Sequence, residues 1–215
     1  MAKTVTAAEM KERERAANEA GLLYIQMMEN AGRAAYAELK RRVPALRRLL
    51  IVAGKGNNGG DGFVMARVAA KEGVQVRVLL AEGEPKTADA KTNLARLAET
   101  AAEVVRDTEQ AAFGADAVVD ALYGTGFHGE LRPGGAAACA LMGRERERGA
   151  FVLALDLPSG VSADSGEVAE GAVQADATVT FDCTKPLHFA KASKPLCGAL
   201  VCADIGIGKA LGEGK

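Results

Sequence analysis

The chain has 215 residues and a formal net charge of −1, with 48% hydrophobic but only 4% aromatic residues. This length fits one α/β domain with a core of Ala, Val and Leu, and the balanced charge offers no global field to draw nucleic acid. Four cysteines without C-x-x-C spacing and only two histidines argue against a disulfide framework and against a histidine-rich zinc site.

The N-terminus, MAKTVTAAEMKERERAANEAG, turns charged at once and lacks a signal peptide's apolar stretch. No apolar run approaches the roughly 20 residues that span a bilayer, so a cytoplasmic protein is expected. Residues 7–20 and 22–42 are read as a pair of helices; in the second, Leu22, Ile25, Met28, Ala31, Ala35 and Leu39 recur at helical spacing between Gly21 and Pro44. From there the pattern alternates. Strands are expected at 49–53, 74–80, 103–105, 115–121 and 151–155, with helices at 60–72, 87–99, 109–113 and 134–148. Further strands follow at 176–182 and 198–203, separated by a proline-marked loop, and residues 208–215 are expected to fray. Alternation of this kind means a central, mostly parallel sheet with helices on both faces, a three-layer α-β-α sandwich. Ligands in such sheets bind at the carboxyl ends of the strands.

Three strand ends carry chemistry. The first, IVAGKGNNGGDG, matches the dinucleotide pattern at Gly54, Gly56 and Gly59, and the next strand ends near Glu82, where a ribose-binding acid would lie. It is not a P-loop, because Lys55 precedes the asparagines. The N–H groups of Asn57 to Gly60 at a helix start would make an anion site, with Asp61 either capping the helix or answering a cation. The second, AVVDALYGTG, puts Asp120 at a strand end before further free N–H groups. In the third, LALDLPSG, Pro158 stiffens the turn that holds Asp156 and Ser159. Asp156, behind an apolar strand, suits general acid or base work. Ser159 lacks the G-x-S-x-G elbow of a hydrolase nucleophile. Lys185 in FDCTKPLHF is either a surface lysine or a cation reaching into the same cleft, while His128 and His188 are expected to pack or face solvent. An Asn, carboxylates, a Ser hydroxyl and carbonyls form an all-oxygen set that suits a hard cation of unspecified identity.

In this order, GKGNNGGDGFVMAR, DALYGTGFHGELRPG, LDLPSGVSADSGEV and TVTFDCTKPLHF resemble the YjeF N-terminal domain family, as does MMENAG at Met27–Gly32. The resemblance covers nearly the whole chain. It implies a Rossmann-like fold and epimerisation of NADHX or NADPHX, the hydrated nicotinamide dinucleotides with a hydroxyl at C6. An ADP- or ATP-dependent dehydratase, expected as a separate protein, would then use the S form. It further implies substrate contacts at Asn57, Asn58, Gly59, Gly60, Asp61 and Asp156. The loop of Gly124, Thr125, Gly126, Phe127, His128, Gly129 and Glu130 is implied too, with Phe127, His128 and Glu130 contributing backbone. Potassium is implied at Asn58, Asp120 and Ser159, and a homodimer is common in the family. For the chemistry, Asp156 is expected to move the proton at the C6 oxygen, with Lys185 tuning its charge. Two other readings are an NAD(P)-dependent oxidoreductase, resting on the glycine pattern alone, and a non-catalytic nucleotide- or protein-binding module of the same fold.

Overall fold

The computed structural model of the chain describes residues 3–213. Its sheet is built from β1 (Arg48–Ala53), β2 (Gln75–Leu80), β3 (Glu103–Val105), β4 (Ala117–Ala121), β5 (Phe151–Leu155), β6 (Ala177–Phe181) and β7 (Ala199–Ala203). The spatial order is β3-β2-β1-β4-β5-β6-β7, and every pairing between these strands is parallel. The helices are α1 (Ala7–Glu19), α2 (Tyr24–Arg42), α3 (Asn57–Lys71), α4 (Ala88–Leu97), α5 (Thr108–Ala111), α6 (Pro133–Glu147) and α7 (Ile207–Ala210).

Side chains alternate across each strand, so β1 feeds two cores. Leu49, Ile51 and Ala53 pack with Leu39 of α2, Phe63 of α3 and Leu97 of α4, whereas Leu50 and Val52 pack with Leu141 and Met142 of α6. Covering both faces is why the central strands are apolar throughout. Toward β6 and β7 the helical cover thins. The chain from β5 to β6 is a loop pinned by an antiparallel bridge between Val161 and Val168, and two short 3-10 turns, Pro186–His188 and Lys194–Leu196, fill the expected proline-marked loop.

Two expectations need correction. Helix α3 begins at Asn57, not at residue 60, with Gly56 as its N-cap. Its glycines are poor helix formers, but close packing holds them in place. A Cβ on Gly60 would lie 2.5 Å from Met28 Sδ, and one on Gly62 would lie 2.8 Å from Ala121 Cβ. The expected fraying from Gly208 is also wrong within the described residues. Ile207–Ala210 is helical, and Glu213 pairs with Arg13 of α1 at 2.7 Å; Gly214 and Lys215 lie outside the described residues. Among the described residues, no helix is long and apolar enough to cross a membrane. The four cysteines are free.

Candidate active site

β1 and β4 are neighbours whose outgoing chains diverge, one to α3 and the other to α6 on the opposite face. This switch point is where open α/β sheets leave a crevice. Gly54 makes the junction tight: its N–H donates to Ala121 O at 3.0 Å, and a Cβ there would lie 1.8 Å from the Leu122 carbonyl oxygen. Because α3 starts at Asn57, the N–H groups of Asn57, Asn58 and Gly59 have no acceptor within the helix. That of Gly60 is already spent on Gly56 O at 3.3 Å, so the expected anion site is one amide smaller.

Asn58, Asp120 and Ser159 meet through one chain of hydrogen bonds. Asn58 Nδ2 donates to Tyr123 O at 2.8 Å, and Tyr123 N–H donates to Ser159 Oγ at 2.9 Å. Ser159 in turn gives its hydroxyl to Asp120 Oδ1 at 2.6 Å and its N–H to Asp120 Oδ2 at 2.7 Å. Burial raises the Asp120 carboxyl from 3.8 to about 6, against the pull of the Ser159 and Leu122 donors. Asn58 Oδ1 is buried and has no partner among the described residues. A buried acceptor left so costs roughly 1–3 kcal/mol unless a donor or cation meets it. A hard monovalent cation fits this all-oxygen set and would favour the ionised form of Asp120.

Asp156 ends β5 in an unusual backbone state. Its φ is 65°, and Leu157 N–H donates back to Leu155 O at 2.8 Å, which makes Asp156 the apex of a three-residue turn. A non-glycine residue pays about 1–2 kcal/mol for left-handed backbone, and such strain concentrates at functional sites. The turn is held from several sides. Asp156 N–H donates to Val179 O at 2.7 Å, and His188 Nε2 lies 3.0 Å from Asp156 O. Since His188 Nδ1 accepts the Lys185 N–H at 2.9 Å, Nε2 carries the proton and donates to Asp156. Burial lowers the His188 pKa and favours the neutral ring.

The Asp156 carboxylate is anchored on one side and open on the other. Oδ1 accepts Lys185 Nζ at 2.5 Å and the Thr180 hydroxyl at 2.9 Å. Oδ2 faces Gly124, where a Cβ would lie 4.0 Å from it and 3.4 Å from Asn58 Cβ. Lys185 is only 1% exposed, which removes the surface-lysine reading. The open oxygen, the Asn58 side chain and the loop after β4 therefore converge at one place.

A cavity of about 450 Å³ runs over these loops, lined by Asn57, Asn58, Gly124, Thr125, Gly126 and Phe127, with His128 and Glu130 further out. Gly129 instead lines a neighbouring cavity of about 860 Å³, shared with Phe127 and Glu130. Gly59 and Gly60 shape the site by packing: a Cβ on Gly59 would lie 2.2 Å from Gly54 O. Asp61 cannot be the helix cap, since it lies inside α3. It is half-buried, and burial together with Asp156 and Glu14 pushes its carboxyl well above the usual range. Glu82 is near the expected place, but its carboxylate accepts the Tyr123 hydroxyl at 2.7 Å.

The profile of the family described as YjeF-related protein N-terminus matches residues 24–187. The chain belongs to this family. A relative named NAD(P)H-hydrate epimerase, from Pirellula staleyi, is 40% identical over 206 residues, covering 90% of this chain and 87% of that protein. Another, named bifunctional NAD(P)H-hydrate repair enzyme Nnr, from Coxiella burnetii, is 36% identical over 200 residues. That match covers 93% of this chain and 40% of the relative, so the chain spans about two-fifths of the bifunctional relative's length. Among solved structures, the yeast protein ynu0 superposes with a TM-score of 0.76 at 20% identity, covering 94% of this chain and 88% of that one; this supports the fold alone.

The YjeF-related profile begins at α2, so α1 lies ahead of the matched residues. Two residues near the site were not anticipated from sequence. His188 follows Lys185 at the spacing of one 3-10 turn, a local signal that was open to reading. Glu14, on α1, reaches the site only because of how α1 packs.

Proposed function

We propose that the chain is an NAD(P)H-hydrate epimerase, interconverting the R and S forms of NADHX and NADPHX. The observation that carries this reading is Asp156: a strained strand-end carboxylate, ion-paired on Oδ1 to a buried lysine and open on Oδ2 toward Asn58 and Gly124. The Pirellula staleyi relative, matched over most of both chains and named for this activity, supports it. In this reading the diphosphate lies over the free N–H groups at the start of α3, where a helix N-terminus favours anions. The nicotinamide ring lies toward Asp156.

Epimerisation at C6 needs its C–O bond broken and remade. The ring nitrogen pushes out the C6 hydroxyl as water, giving an iminium that water re-enters from the other face. Asp156 Oδ2 handles the proton at that oxygen, while Lys185 and Thr180 hold Oδ1. Such acid–base help is typically worth ~10² to 10⁴ in rate. Neutral His188 fixes the peptide of Asp156 and so aims its side chain. Ser159 serves Asp120, not a substrate carbonyl.

Potassium is the proposed cation, held by Asn58 Oδ1, Asp120 and Ser159. When bound it supplies positive charge near the diphosphate. Exchange of potassium for tetramethylammonium should weaken substrate binding, and unchanged affinity would count against the site. The proposed partner activity is a dehydratase acting on the S form; the name bifunctional repair enzyme among longer relatives supports pairing with a second activity. A homodimer through the N-terminal helix pair is also proposed, since Leu23 and Tyr24 beside it are exposed apolar residues.

The test is direct. Purified R-epimer is mixed with the protein, and its approach to the R/S mixture is followed by chromatography against a buffer control. Acceleration is expected; a rate equal to buffer would remove the assignment. An oxidoreductase reading would instead require NAD(P)H turnover with a carbonyl substrate.

A further inference from the structure

Helix α1 contributes a wall of the site. A cavity of about 540 Å³ lies between its face, carrying Ala7, Met10, Lys11 and Glu14, and the start of α3 at Asn57 with the loop of Thr125 and Gly126. The helix is firmly placed. Thr6 and Glu9 form a reciprocal cap, Ala7 N–H donates to Asp164 Oδ1 at 2.7 Å, and Arg13 binds Asp182 at 2.9 Å and Glu213 at 2.7 Å.

Within α1, Met10 and Ala17 are buried, and Glu14 lies between them at i+4 and i−3, where an amphipathic helix would carry an apolar residue. The other acids of this helix have partners: Glu9 is in the cap, and Glu12 and Glu19 bind Arg15. Glu14 makes no hydrogen bond or ion pair among the described residues. It is placed to serve the cavity rather than the helix.

Resting on the epimerase reading, we propose that Glu14 is a second proton-handling group of the reaction, serving the face of C6 opposite the one that Asp156 serves. The division of labour follows from the surroundings. Asp156 has Lys185 on Oδ1 and leaves Oδ2 open toward the cleft. Glu14 has burial and the charges of Asp156 and Asp182 against it, with Lys185 and Lys11 opposing, and its carboxyl is held above the usual range. Asp61 of α3 senses the same field, and Asp89 of α4 lines the same cavity. A carboxyl raised by its surroundings, beside a second one paired to a lysine, gives the cleft two proton-handling groups. The acids are not arranged as a metal cage: no group of three or more His, Cys, Asp or Glu among the described residues could hold a metal ion.

The step balances as follows. Glu14 gives its proton to the C6 hydroxyl, the C6–O bond breaks with its electron pair leaving on water, and the N1 lone pair forms the N1=C6 double bond. Water then adds to the other face of C6, returning the pair to N1 and passing a proton to Asp156. The proton goes back to Glu14 through solvent, and no other reactant is needed.

The test compares wild type, Glu14→Gln and Glu14→Asp on purified R-epimer across pH, with folding checked by circular dichroism. Glu14→Gln should lower kcat by ~10² to 10⁴, leave KM within about threefold and flatten the alkaline limb of the profile. Glu14→Asp should keep an alkaline limb, shifted from that of wild type, with a kcat between those of wild type and Gln. A Gln variant within threefold of wild type, or one that keeps the alkaline limb, overturns the role of Glu14 and leaves the epimerase reading standing. If Gln fails to fold, the Asp variant decides: a kcat and pH profile unchanged from wild type overturn the role, and a shifted alkaline limb supports it. Wild type that does not interconvert the epimers overturns both.

Discussion

Replacing Asp156 by Asn tests the chemistry and the local strain together. Asparagine keeps the shape and tolerates left-handed backbone, so the turn at φ 65° should survive. What is lost is the charge opposite Lys185, whose ammonium is buried and bonded at 2.5 Å. Breaking one half of a buried pair costs roughly 3–5 kcal/mol when the orphan charge has no other partner. Here Thr180 Oγ1 at 2.9 Å and Phe181 O at 3.4 Å remain as acceptors for the ammonium. A loss of roughly 1–3 kcal/mol is therefore expected, the scale of one unsatisfied buried donor. Asp156→Ala should be less stable than Asn by a further ~1–2 kcal/mol, because alanine pays the left-handed penalty in full. Turnover in both variants should fall by ~10² to 10⁴. Urea denaturation gives the first comparison, and chromatography of the epimers gives the second. An Asn variant with turnover within threefold of wild type would remove Asp156 from the proton step. Equal stability of Ala and Asn would show that the turn stores no strain.

Three shorter predictions follow from the same geometry. In potassium-free buffer the native state keeps the Asp120 proton up to about pH 6, against an ordinary value of 3.8, so it binds more protons than the unfolded chain between those values. This contribution is full below about pH 4 and is lost as pH rises through 6, on the order of 3 kcal/mol; Asp120→Asn should lack that slope in denaturation curves, and an unchanged slope would refute the assignment. Gly54→Ala should lower Tm far more than Gly60→Ala, since the first meets backbone at 1.8 Å and the second meets the flexible end of Met28 at 2.5 Å; similar losses would contradict this ranking. Cys202 should react first with a thiol reagent, because Cys139, Cys183 and Cys197 are buried; earlier labelling of Cys139 would argue against the packing around α6.

Much of this architecture can be read from residues alone, and the exceptions have physical causes. Strands at 49–53 and 151–155 are legible because each is an apolar run ending in glycine or a polar turn. The convergence of Asp120, Asp156 and the glycine loop follows from the rule that parallel strands present their carboxyl ends together. The start of α3 is missed because Asn-Asn-Gly-Gly reads locally as loop, and Met28 and Ala121, distant in sequence, make the tight helical packing favourable. A cap is one of the two local readings of Asp61 for the same reason. Glu14 stayed hidden in a run of alternating charges, where nothing local separates an acid facing water from one facing a cleft.

Arg13 ties α1 to segments far along the chain. Its guanidinium grips Glu213 while also contacting Asp182, so the carboxyl-terminal tail braces the helix that presents Glu14. A purification handle fused directly after Lys215 is separated from Glu213 by only Gly214 and Lys215. Where the tag is placed, a choice usually made for convenience, here bears on how firmly the candidate cleft is walled.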